Sequence, residues 1–279
     1  MIYTRLHGRL GNQMFQYAAA RGLAARLHAP LVLDERGALH RGEGVLTRVF
    51  DLPVVAPARL PPARHVAPFR YALWRLILSD PKFRREKGLG YNAAIEGWPD
   101  ESYLHGYWQS EKYFSHIAND IRREFRFRVP PSPRNVEMAD QINECTAISL
   151  HVRRGDYLTF DAHAVCGQDY YNHALTKIVE SLPTDPTVFV FSDDPEWAKA
   201  NLPLPFEKVV VDFNGSDADY EDMRLMSLCN HNVIANSSFS WWAAWLNINP
   251  QKCVAGPSNW FADPKLNNPD ILPGGWHQI

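Results

Sequence analysis

The residues that carry the most chemistry for their number are His151-Val152-Arg153-Arg154-Gly155-Asp156-Tyr157, which follow the apolar run Ala147-Ile148-Ser149-Leu150. That run is short, rich in Ile and Leu, and bounded by polar residues. It predicts a buried strand whose C-terminal end delivers two arginines to the top of a sheet. Ligands of open α/β sheets bind at that edge. A guanidinium keeps its charge and grips phosphate through two parallel donors, so an Arg-Arg-Gly-Asp turn there suits a diphosphate better than a neutral ligand. Spacing alone leaves a second reading open, a surface loop with an exposed Arg-Asp pair that contributes ~0–1 kcal/mol.

A second anion site is written into Asn236-Ser237-Ser238-Phe239-Ser240, which follows an apolar segment ending at Ala235 and precedes a helical one. Hydroxyls and free N–H groups at a helix N-terminus bind phosphate, and N-capping by Ser237 or Ser238 is the structural alternative that the same loop also serves. Asp217-Ala218-Asp219 and Ser192-Asp193-Asp194 are acidic pairs of the kind that hold Mg²⁺ or Mn²⁺ against a donor's phosphates. Asp217 and Asp219 also border a helix start, where acids occur for electrostatic reasons alone. Gly8-Arg9-Leu10-Gly11-Asn12 is a tight turn between strand and helix. It matches neither the GxGxxG dinucleotide fingerprint nor the GxxxxGK[ST] phosphate loop.

Four blocks in one order resemble the α-1,2-fucosyltransferase family: Gly8 to Ala18 (GRLGNQMFQYA), His151 to Tyr157 (HVRRGDY), Val188 to Asp194 (VFVFSDD) and Asn236 to Leu246 (NSSFSWWAAWL). The resemblance runs from about residue 2 to 260. It implies an inverting, metal-independent galactoside α-1,2-fucosyltransferase of the GT-B type, α/β in class, with two Rossmann-like domains built on parallel doubly wound sheets. GDP-fucose is then the donor, the acceptor is the 2-hydroxyl of a terminal β-galactoside, and neither a metal nor another cofactor is expected. By the same pattern Arg153 holds the β-phosphate and offsets leaving-group charge. His151 lies near the nucleoside, its alternative being a structural histidine, and Arg154 either joins the donor site or holds Asp156 or the domain interface. Asp222, sixteen residues before Ser238, accepts guanine's two donors, its alternative being an exposed acid in a helix first turn. Asn236, Ser237, Ser238 and Phe239 complete the donor side. Asp156 is the first candidate to orient or deprotonate the acceptor hydroxyl, unless it only pairs with an arginine, and Asn12 is the second. His7, Trp108 and Gln109 are assigned to the acceptor, with rim packing the alternative for the last two. Two competing readings are a metal-dependent glycosyltransferase using Asp217 and Asp219, and a non-catalytic sugar-binding module. The arginine pair and the serine loop disfavour the second, since a lectin needs no diphosphate site.

Composition narrows the field further. Lys and Arg number 29 against 31 acidic residues, a net −2, which excludes the basic excess that drives nucleic-acid binding. Cys145, Cys166, Cys229 and Cys253 lack any CxxC spacing and read as buried thiols of a reducing compartment. No signal peptide follows Met1, and no apolar stretch approaches the ~20 residues that span a bilayer. The expectation is a cytoplasmic protein, with Trp74, Arg75 and Leu76 on a short amphipathic helix available to the inner membrane's surface.

The elements that position these residues follow from periodicity. Strand, glycine turn, helix and strand occupy residues 2–7, 8–12, up to about 28, and 29–34, the opening unit of a Rossmann-like domain. Five prolines between 51 and 68 predict an extended connection, followed by a helix at 69–78, a strand at 102–107 and a helix at 111–125. Val129-Pro130-Pro131-Ser132-Pro133 marks the boundary between an acceptor-side domain, 1–130, and a donor-binding domain, 131–279. Strands at 146–153, 187–192, 208–212, 232–236 and 253–256 then alternate with helices at about 168–182, 194–201, 219–229 and 240–248. Such alternation specifies a parallel sheet.

Overall fold

β1 (Ile2–Arg5) alternates buried Ile2 and Thr4 with half-buried Tyr3 and Arg5, and feeds α1 (Leu10–Arg26) through a turn at Gly8. Gly8 has φ 77°, and a Cβ there would stand 2.7 Å from Asn12 Nδ2, so the turn needs glycine both for its backbone and for its contact. A computed structural model of the chain describes residues 1–42, 44, 46–57, 60–63, 65–77, 82–155, 166–266 and 268–279. It divides into two compact units, Met1–Arg128 and Val129–Ile279.

In the first unit β2 (Leu31–Asp34), α2 (Arg36–His40), α3 (Leu46–Val49), α4 (Pro68–Ile77), β3 (Phe83–Arg85), β4 (Tyr103–His105) and α5 (Ala118–Glu124) follow α1. The four strands form a wholly parallel sheet in the order β2-β1-β4-β3. β2 and β4 flank β1 on opposite sides, so the chain reverses its winding between β1 and β4, and the loops after those two strands border the crevice where such sheets take ligands. The helix expected over 111–125 is instead two single 3₁₀ turns, Glu111–Tyr113 and Ser115–Ile117, followed by α5. Ser110 Oγ accepts from Lys112 N, and Phe114, fully buried with φ −136°, breaks the helical path because its ring packs in the core. β3 was not legible, since its three residues include Arg84 and Arg85.

In the second unit α6 (Pro133–Asn143) starts with proline at its first turn and Ser132 Oγ accepting from Asn135 N. There follow β5 (Ala147–Val152), α7 (Gln168–Val179), β6 (Thr187–Ser192), α8 (Pro195–Asn201), β7 (Glu207–Val211), α9 (Asp219–Leu228), β8 (His231–Val233), α10 (Ser238–Leu246), β9 (Val254–Gly256) and β10 (His277–Gln278). Every pairing is parallel, in the order β10-β9-β8-β5-β6-β7. All six residues of β5 are buried, as a strand covered on both faces requires. The winding reverses between β5 and β8. Asn232 Nδ2 donates to Ser149 Oγ at 2.7 Å, and Asn247 Nδ2 donates to Asn232 Oδ1 at 2.8 Å, which ties α10 to the two strands at that junction. Trp241 and Trp242 of α10 are fully buried, and Trp241 Nε1 donates to Ile271 O at 2.7 Å. Of the cysteines only Cys229 is fully buried; the other three are half-buried and all four are free thiols. Among the described residues no helix is long and apolar enough to cross a membrane.

Candidate active site

The reversal point of the six-stranded sheet is where the arginine turn stands. β5 and β6 pair in register from Ala147 beside Thr187 to Val152 beside Ser192, so the residues that follow, Arg153 and Asp193, come out side by side. Arg153 Nη1 pairs with Asp193 Oδ2 at 3.0 Å. The same carboxylate accepts from the backbone N–H of Arg154 at 2.8 Å and of Gly155 at 3.0 Å. One acid therefore fixes both the backbone of the turn and its first guanidinium. Gly155 is required by this clamp, because a Cβ there would lie 2.7 Å from Asp193 Oδ2. Arg154 turns aside: its guanidinium lies 3.7 Å above the Trp197 ring, and its Nε meets Asp194 Oδ2 at 3.3 Å. Asp194 also caps α8 by accepting from Trp197 N. Asp193 and Asp194 thus serve the two arginines, and among the described residues no group of three or more His, Cys, Asp or Glu is placed to hold a metal ion.

His151 sits at the end of β5, buried, with its ring 5.7 Å from that of Phe239. Burial first, and the neighbouring Arg153 charge second, push its imidazole down to about 3. It is neutral at physiological pH, and its buried Nδ1 has no hydrogen-bond partner among the described residues. A buried ring nitrogen left open costs ~1–3 kcal/mol, which a hydrogen bond from a bound group would recover. Across the junction, Ser237 caps α10 by accepting from Phe239 N. Asn236 is buried and holds the loop, its Nδ2 donating to Trp260 O at 3.1 Å. The first turn of α10 lies at the same edge, the kind of helix start at which backbone N–H groups can meet an anion.

Asp222 lies in the first turn of α9. The β7-to-α9 crossover returns along the sheet, so this helix too begins at the carboxyl edge. Its Oδ1 accepts from Asn214 Nδ2 at 2.8 Å, and Asn214 and Asn135 exchange a reciprocal pair of amide bonds at 2.9 and 3.0 Å. Burial pushes the Asp222 carboxyl up to about 7, Asp219 and Glu221 adding to it against the opposing Asn214 bond. Asp222 is thus a half-buried, braced acid and not an exposed one.

In the first unit the loops after β1 and β4 meet at its reversal point. Gln109 Nε2 donates to Asn12 Oδ1 at 2.8 Å, while the His7 ring packs on Tyr107 at 4.7 Å and His105 at 5.8 Å. Gln16 bridges to His7, its Oε1 accepting from His7 N at 2.9 Å. His7, Asn12 and Gln109 are thereby gathered, half-buried, at one edge. Trp108 is not available with them. Its ring is fully buried, edge-on to Trp98 at 5.7 Å and Tyr113 at 5.6 Å, which corrects its expected place against an acceptor. Its backbone, at φ 57°, is held by Glu86, whose two oxygens accept from Tyr107 N and Trp108 N. Asp156 lies outside the described residues.

Sequence reasoning missed Asp193 as the clamp, Trp197 as the platform under Arg154, and the Asn135–Asn214 brace behind Asp222. Only the first had a signal, an acid at the end of the strand after the arginine strand.

With this geometry in hand, comparisons with known proteins are specific. The sequence profile described as Glycosyl transferase family 11 matches residues 90–279. A protein of Escherichia coli named alpha-1,2-colitosyltransferase is 32% identical over 298 residues, spanning 100% of this chain and 99% of its own length. The O-antigen biosynthesis glycosyltransferase WbnK of the same species is 31% identical, over 94% of this chain and 95% of its own. Human galactoside alpha-(1,2)-fucosyltransferase 1 is 26% identical, over 86% of this chain and 64% of its own. Among solved structures, the fucosyltransferase NodZ from Bradyrhizobium superposes with a TM-score of 0.52 at 16% identity, over 87% of this chain and 91% of that one. NodZ co-crystallized with GDP gives a TM-score of 0.52 over 87% and 90%. Likeness at that identity shows the fold.

Proposed function

The chain belongs to glycosyl transferase family 11, and from that premise we propose that it moves L-fucose from GDP-fucose to the 2-hydroxyl of a terminal β-galactoside, with inversion and without a metal. The observation that carries the reading is the clamped Arg153 at the β5–β8 reversal point, beside a neutral His151 whose Nδ1 no described residue binds and the capped start of α10. A fixed guanidinium and a helix N-terminus together supply the positive potential that a departing diphosphate requires. Arg153 takes the β-phosphate, the α10 loop with Ser237, Ser238 and Phe239 takes the diphosphate's other oxygens, and His151 meets the nucleoside. Arg154, committed to Asp194 and Trp197, supports the turn. In the other unit His7, Asn12 and Gln109 take the acceptor, and Asp156 or Asn12 orients the reacting hydroxyl. One second reading has support of its own. The 32% identical relative is named a colitosyltransferase, and colitose lacks one ring hydroxyl of L-fucose, so GDP-colitose is a competing donor.

Guanine recognition falls to Asp222, whose carboxylate would accept the N1 and N2 donors that adenine and uracil lack. The protonated acid loses one acceptor, and with a carboxyl pushed up to about 7 the ionised fraction rises steeply between pH 6 and 8. Affinity for GDP should therefore tighten by about tenfold over that interval. His151, at about 3, contributes nothing to the slope. Asp222→Asn should flatten it and shrink the preference for GDP over ADP and UDP. Calorimetric titration of both proteins with the three nucleotides at pH 6 and 8 checks this. Equal slopes and equal preferences would remove guanine from Asp222.

A further inference from the structure

The helix α4 is amphipathic in an unusual sense, because its apolar side faces outward. Trp74 turns inward and meets Phe83 of β3 edge-on at 5.1 Å, with Tyr71 beside it at 6.0 Å. On the opposite side Phe69, Leu73 and Leu76, at helical spacings of four and three, are 80%, 47% and 81% exposed, and Val66 just ahead of the helix is 71% exposed. A contiguous stripe of this kind marks an interaction surface. Its surroundings are basic. Among the described side chains between positions 65 and 87 stand Arg70, Lys82, Arg84, Arg85 and Lys87 against Glu86, a net +4 in a chain whose total is −2. Arg70, Arg85 and Lys87 are exposed and form no ion pair among the described residues. Arg85 ends β3, the strand against which α4 packs through Trp74 and Phe83.

We propose that this face seats the protein on an anionic lipid bilayer, with Phe69, Leu73 and Leu76 entering the headgroup boundary and Arg70, Arg85 and Lys87 meeting lipid phosphates. Helix length, an outward apolar stripe and flanking cations are the attributes of a helix that lies in the interface plane and does not span it. The charge also decides between occupants. A two-fold dimer through this face would set one basic surface against its own copy, whereas an anionic bilayer complements it. The proposal concerns where the protein sits, and it stands apart from which sugar is transferred.

Flotation of the purified protein with vesicles tests it. The wild type should float with phosphatidylglycerol–phosphatidylethanolamine vesicles and stay behind with phosphatidylcholine alone, and binding should fall as salt rises. A Phe69→Ser, Leu76→Ser double variant should lose about tenfold or more in partition. Arg70→Glu with Arg85→Glu should lose as much, and both should keep wild-type transfer to a soluble acceptor. Failure of the wild type to float at low salt overturns the proposal, as does binding that neither double variant weakens. If the wild type ignores vesicles but sediments as a dimer that the serine variant dissolves, the face is a self-association surface instead.

Discussion

Arg153→Ala is expected to lower the turnover of sugar transfer by about 10²–10³, the usual loss when a donor aimed at developing charge is removed. The residue is held in advance of any ligand by the Asp193 carboxylate 3.0 Å away, so its positive charge is in place before the diphosphate departs. Arg153→Lys should recover little. An ammonium is a point charge on a flexible stem, and it does not reproduce the paired donors toward phosphate. Steady-state rates with saturating donor and acceptor check both variants. A loss below tenfold in the alanine variant, or near-normal turnover in the lysine variant, would take Arg153 out of the diphosphate site.

Asp193→Ala is expected to cost about 10²-fold through misplacement, although this side chain is not assigned any contact with substrate. It fixes two backbone N–H groups and one guanidinium, and the alanine variant frees all three. Asp193→Asn keeps an acceptor oxygen but loses the charge opposite Arg153, and should fall between wild type and alanine. A purely structural role would lower stability and leave turnover per folded molecule unchanged. The discriminating readout is a double-mutant cycle: in the Arg153→Ala background, Asp193→Ala should cost only a few-fold, since the group it positions is already gone. Fully additive losses would show that Asp193 acts on something other than Arg153.

The reason the sequence announced Arg153 and not its clamp is physical. The strand, the arginine turn and the α10 cap are local features, read from a few consecutive residues: β5 is an apolar run because it is buried on both faces, and Ser237 precedes the helix it caps. Asp193 is 40 residues further on, and it meets Arg153 only because β5 and β6 pair with Val152 beside Ser192, a register that the fold sets. Read alone, the acidic pair also fits the pattern of a metal ligand set. Trp108 shows the opposite failure. An aromatic residue beside a turn is the same letter whether it lines a sugar pocket or fills a core, and its burial by Trp98 and Tyr113 is a tertiary fact. The same holds for residues 111–125, whose apolar spacing fits a helix while the demand to bury Phe114 breaks it. Asp222 was placed by its offset from the serine loop, but nothing local foretold that Asn214 and Asn135 would brace it or that burial would bring its titration to about 7.

The central claim is the transfer itself, and product analysis tests it most directly. The purified protein would be incubated in EDTA with GDP-fucose or GDP-colitose and a panel of β-galactosides, and the linkage of any product determined by nuclear magnetic resonance. The account predicts an α-linked L-fucose on the galactose 2-hydroxyl, formed from GDP-fucose at an undiminished rate in EDTA. Transfer from GDP-colitose alone would move the donor assignment to the competing sugar. A linkage to any other hydroxyl, or activity lost on chelation and restored by Mn²⁺, would contradict the account.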